Sequence, residues 1–125
     1  MNAETGGIKM EEITKYILEQ LQNLLAIDSP TGYTKNVTDY LMAEYEKLGY
    51  TRKRTVKGGV LTDLGGKDPD NAVFLEAHVD TLGAMVSQIK SNGRLAVSPL
   101  GGMNANNAEA ENCRIITRFN GTYEG

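Results

Sequence analysis

Apolar residues follow one rhythm in the first third of the chain and another beyond it. In MEEITKYILEQLQNLLAI, Ile13, Ile17, Leu21, Leu24 and Leu25 recur at helical steps, with Glu12, Lys15, Glu19 and Gln22 between them. This spacing predicts an amphipathic helix from about Met10 to Ala26. Pro30 disfavours helix at Ser29, and Gly32 frees the turn that follows. A second stripe of Val37, Leu41, Tyr45 and Leu48 predicts a second helix. Thr34 stands where a cap is needed, and Gly49 suits the left-handed residue just past the end.

After Gly49 the period changes. YTRKRTV and VLTDL read as short strands around a Lys57-Gly58-Gly59 turn, followed by an exposed loop from Gly65 to Asp70. In NAVFLEAHVD, Val73, Phe74 and Leu75 are consecutive, which predicts a strand buried on both faces of a sheet. Full burial of each contributes roughly 1.5–3 kcal/mol. From Gly83 the pattern is all β. AMVSQIK and RLAVSPL form a hairpin about Ser91-Asn92-Gly93, MNANNAEAE reads as a loop, and NCRIITRF leads to an Asn120-Gly121 turn. The arm after that turn, TYEG, reads as too short to pair properly. The shift in texture divides the chain into residues 1–82, α/β, and residues 83–125, all β, with residues 1–9 as a disordered leader.

Composition narrows the classes. A 125-residue chain is of one-domain size and can bury about two-thirds of its unfolded surface. A net charge of -3 leaves no footprint for nucleic acid or an anionic membrane, and Arg52-Lys53-Arg54 reads as a solvated strand edge. The single cysteine, Cys113, cannot form an internal disulfide, which points to the cytoplasm, and it reads as a small buried hydrophobe. No apolar run approaches membrane-spanning length, and the N-terminus lacks the apolar core of a signal peptide.

The candidate chemistry is His78-Val79-Asp80, which holds the chain's one histidine. On a strand, residues i and i+2 share a face, so imidazole and carboxylate would point the same way at the strand's C-terminal end. Such a histidine can bind zinc while the carboxylate fixes its ring. Taken alone, the tripeptide favours a plainer state, a part-exposed histidine paired with a neighbouring acid, because zinc sites take three or four ligands. Ser29 and Thr31 read as turn formers, and the tyrosines of the second helix as packing residues. Glu109 and Glu111 read as solvated loop charges.

A longer stretch, GGVLTDLGGKDPDNAVFLEAHVDTLGAMVSQIKSNGRLAVSPLGG, resembles the co-catalytic metallo-aminopeptidase family that includes glutamyl and deblocking aminopeptidases. The later AEAENCRIITRFNGTYEG and the earlier IDSPTG are similar to the same family. The resemblance implies the N-terminal part of a zinc-peptidase-like α/β/α catalytic domain, followed by the start of an inserted β-barrel domain that mediates oligomer contacts. It matches His78 to the family's first metal-binding histidine. It matches Asp80 to the acid that orients that ligand and supports catalysis. It implies two divalent metal ions, zinc or cobalt, in a full-length parent, a peptide substrate and a homo-oligomer. The remaining ligands and the general-base glutamate lie beyond Gly125 in family members. A non-catalytic fragment or degenerate homologue, acting as a binding or assembly module, is the alternative.

Overall fold

A computed structural model describes residues 10–125, so the expected leader over residues 1–9 lies outside the described residues. The architecture is mixed α/β, with two helices and small antiparallel sheets. Contacts cluster into two units, Met1–Thr81 and Leu82–Gly125.

In the first unit, α1 spans Met10–Leu25 and α2 spans Lys35–Lys47. Both follow the apolar stripes, and α2 ends as the glycine requires. Gly49 takes φ 80°, its N–H donates to the Glu46 carbonyl, and the Tyr50 N–H donates to the Tyr45 carbonyl, each at 2.9 Å. These two bonds close the helix in the left-handed manner that disfavours a Cβ. The start differs from expectation. Thr34 holds the cap position, yet its side chain makes no capping bond, and only its backbone carbonyl engages the helix, accepting from the Thr38 N–H at 3.0 Å.

A polar seam joins the helices. The Tyr40 hydroxyl donates to Gln20 Oε1 at 2.8 Å and accepts from Asn23 Nδ2 at 3.1 Å, while Gln20 Nε2 donates to Glu44 Oε2 at 3.3 Å. Two short strands follow, β1 over Arg52–Arg54 and β2 over Val60–Thr62, paired antiparallel. The basic stretch is not simply a solvated edge. Arg52 and Arg54 are half-buried and face back toward α2, with Arg52 on Glu46 at 2.5 Å and Arg54 on Asp39 and Thr38. Only Lys53, on the alternate face, is exposed. Fully buried side chains among the described residues are Val37 and Ser29.

The expected buried strand over 71–80 is corrected. Pro69–Asn71 forms one turn of 3-10 helix, and among the described residues no strand pairs with residues 72–80. Val73, Phe74 and Leu75 are 83%, 73% and 78% exposed. A strand buried on both faces needs neighbours on both edges and covering layers on both sides. Among the described residues the only tie of this kind is a parallel bridge between Pro30 and Thr81.

In the second unit, β3 over Gly83–Ile89 pairs antiparallel with β4 over Leu95–Leu100, with a register shift between Val86 and Gln88. The predicted loop contains a 3-10 turn at Ala105–Ala108. A last hairpin joins β5, Arg114–Ile116, to β6, Thr122–Glu124. Its second arm does pair, against expectation. Cys113 and Gly125 exchange both backbone bonds, at 2.6 and 3.1 Å, and extend the ladder. Two residues around Asn120-Gly121 bring the arms together at once, so even a short arm finds partners. Cys113 is exposed rather than buried, beside a sheet of only two strands.

Candidate functional site

The Ser29–Gly32 turn and the His78–Thr81 segment are far apart in sequence and meet in the first unit. Pro30 stops α1 from continuing, and Gly32, at φ 90°, lets the chain reverse. The turn then clamps the segment at three points. The buried Ser29 hydroxyl donates to the Val79 carbonyl at 2.9 Å. The Thr81 N–H donates to the Ser29 carbonyl at 2.9 Å. The Thr31 hydroxyl donates to Asp80 Oδ2 at 2.7 Å.

His78 meets the other carboxylate oxygen. Its Nδ1 lies 3.1 Å from Asp80 Oδ1 and 3.0 Å from the Asp80 carbonyl oxygen. The Thr31 bond, ahead of the His78 contact and against partial desolvation, holds the Asp80 carboxyl below the usual carboxylate range. At neutral pH both oxygens facing Nδ1 are therefore acceptors only. Nδ1 must carry the proton, and in the neutral ring Nε2 is left with a free lone pair. The imidazole is 86% exposed, so that lone pair is accessible.

This arrangement fits one coordinate bond to a metal. A histidine ligand whose other nitrogen donates to a carboxylate is the usual form of metal-bound imidazole. Among the described residues, no group of three or more His, Cys, Asp or Glu side chains converges, so the other ligands of a zinc site are not supplied there. A cleft of about 270 Å³ lies beside the pair, lined by Leu21, Leu24 and Leu25 of α1 and by His78 to Thr81. A larger hollow of about 680 Å³ runs along α1 from Met10 to Gln22, away from the His78–Asp80 pair. It is an open face of one helix, where Glu11, Thr14, Lys15, Glu19 and Gln22 flank Met10 and Leu18. The smaller cleft is the chemically meaningful one.

The structure thus brings His78 and Asp80 together on one side. Sequence reasoning missed Ser29 and Thr31, which it treated as turn formers. Glu109 and Glu111 are exposed in the second unit. No helix among the described residues is long and apolar enough to cross a membrane.

The chain belongs to the M42 glutamyl aminopeptidase family, which residues 58–125 match. It is 40% identical over 108 residues to a protein of Bacillus subtilis (strain 168) assigned as aminopeptidase YhfE, a match covering 86% of this chain and 31% of that protein. It is 33% identical over 104 residues to the glutamyl aminopeptidase of Lactococcus lactis subsp. cremoris (strain MG1363), covering 82% of this chain and 29% of that protein. The chain therefore spans about a third of the length of these relatives.

Proposed function

We propose that these 125 residues are the N-terminal part of a metal-dependent aminopeptidase that removes N-terminal residues from peptides. The observation that carries this reading is the exposed His78 ring, with Nδ1 tied to Asp80 and Nε2 turned out. Family membership and two aminopeptidase-named relatives support it. Residues 1–82 then form part of an α/β/α catalytic domain, and residues 83–125 begin an inserted β-barrel through which copies associate.

In the complete site His78 holds one of two divalent ions, zinc or cobalt, and Asp80 fixes its ring. When bound, such a pair polarises the scissile carbonyl and makes water a better nucleophile. What this chain contributes is orientation. Asp80 keeps the proton on Nδ1, and the clamp at Ser29 and Thr31 keeps Asp80 in place.

One imidazole and one orienting carboxylate are too few to hold a co-catalytic pair. The 125-residue chain alone is expected to show no hydrolysis of leucyl, glutamyl or alanyl anilides and only weak zinc binding. In a protein that also carries the remaining two-thirds seen in relatives, His78→Ala should remove one metal and nearly all turnover. Asp80→Asn should retain more metal and slow turnover about 10–100-fold. Anilide hydrolysis and metal content by mass spectrometry decide the matter. Tight stoichiometric zinc with turnover in the short chain refutes the partial-site reading, and full activity in His78→Ala refutes the assignment. The short ligand set favours a second reading, a non-catalytic binding or assembly module. Absence of turnover in the longer protein with His78 intact would select it.

A further inference from the structure

We infer that Thr31 is a positioning residue that selects the tautomer of His78, acting through Asp80 to leave Nε2 free for a metal. The inference deepens the metal-site reading above and rests on it for the identity of the ligand. The role of Thr31 is argued from its hydrogen bond to Asp80.

A carboxylate flanked by one donor can rotate and offer either oxygen, or both, to that donor. Asp80 has a donor on each oxygen. Thr31 takes Oδ2 at 2.7 Å, which leaves Oδ1 facing His78 Nδ1 at 3.1 Å. The Thr31 bond is the shorter of the two and comes from a turn already pinned by the buried Ser29. His78, by contrast, is largely solvent-exposed, and its ring lies against Asp80. Nδ1 also lies 3.0 Å from the Asp80 carbonyl oxygen, so Thr31 governs the carboxylate's share of the hold on the ring and the backbone supplies the rest. Without the threonine hydroxyl the carboxylate can swing, one of the two acceptors facing Nδ1 is weakened, and the proton shifts toward Nε2. That nitrogen would then be a donor, unable to bind a cation without first losing its proton.

The single histidine makes the test direct, because every imidazole signal in the chain belongs to His78. Nitrogen and side-chain carbon NMR shifts distinguish the two neutral tautomers, measured about two pH units above the usual imidazole pKa of ~6.5. The intact chain should show mainly the Nδ1–H form. Thr31→Val, which keeps the shape and removes the hydroxyl, should raise the Nε2–H to Nδ1–H ratio about fivefold, the change expected for one net hydrogen bond. Thr31→Ser should restore the original ratio, and unchanged helical circular dichroism in all three proteins shows that the fold is intact. An unaltered ratio in Thr31→Val, or a serine variant that behaves like valine, overturns the positioning role. If Thr31→Val unfolds the unit, Asp80→Asn in the same assay must shift the ratio, and its failure to do so also overturns the role. Cobalt(II) added to the intact chain tests the ligand separately. Selective broadening of the His78 signals supports the metal reading. Signals undisturbed even by a large excess of cobalt(II), at which a weak one-ligand site would be filled, overturn that reading while the tautomer result stands or falls by itself.

Discussion

Replacing Ser29 by alanine tests whether the clamp stabilises the first unit. Ser29 is fully buried, and its hydroxyl donates to the Val79 carbonyl at 2.9 Å across 50 residues of sequence. Alanine removes the donor and leaves a part-buried carbonyl unpartnered, while the backbone bond from Thr81 to residue 29 remains. Losing a buried partner costs about 1–3 kcal/mol, and the surviving backbone bond places this case near 1–2. For a unit of this size that loss lowers the melting midpoint by roughly 5–15 °C. Both helices belong to the first unit, so the thermal loss of helical circular dichroism reports on it without interference from the hairpins. Ser29→Thr should also destabilise, because full burial leaves no room for another methyl. Ser91→Ala, in an exposed hairpin turn, should stay within about 0.5 kcal/mol of the parent. If Ser29→Ala melts within about 1 °C of the parent, the clamp contributes nothing and the reasoning fails.

Two further outcomes follow from burial and charge. Val37 is the fully buried apolar side chain among the described residues, and Val37→Ala should cost about 1.5–3 kcal/mol, read as a lowered urea midpoint with an unchanged slope. On the acid side, Asp39 is held below its ordinary value by the Lys35 bond and then by Arg54, Asp68 by Asn71 and the Asp70 N–H, and Asp80 by Thr31 and His78. A lowered folded pKa means stability that is present above the unfolded value of about 3.9 and is lost as pH falls through the lower folded values. Melting midpoints should therefore be flat near neutrality and drop below about pH 4, and a midpoint that holds constant down to about pH 2.5 would contradict this.

What the sequence revealed depended on how local the determining contacts are. The helices were legible because their stripes and the terminal Gly49 are written within a few residues. The hairpins were legible because their turn residues sit between the strands they join. Thr34 misled because residue type predicts a cap position but not whether the hydroxyl turns toward the helix. The run at Val73 to Leu75 was read by its apolar character alone, yet a strand also needs partners, and none pairs with it among the described residues. His78 and Asp80 could be found together because only Val79 lies between them in the chain. Thr31 could not, because it reaches Asp80 from 49 residues away. Nothing in a Ser-Pro-Thr-Gly turn announces which distant carboxylate it will meet.

That separation also sets an order of events in time. The helices and each hairpin close over short loops, on the microsecond scale of elementary folding steps. The clamp must close a loop of about 50 residues, and the length-dependent entropy of doing so is on the order of 3.5 kcal/mol. Contacts that close long loops form late and reward the chain only once the rest is in place. Ser29, Thr31 and the His78–Thr81 segment are therefore expected to assemble after the helices and the β1–β2 hairpin. The contact between Asp80 and His78 thus gains its tie to the turn only after the local elements have formed.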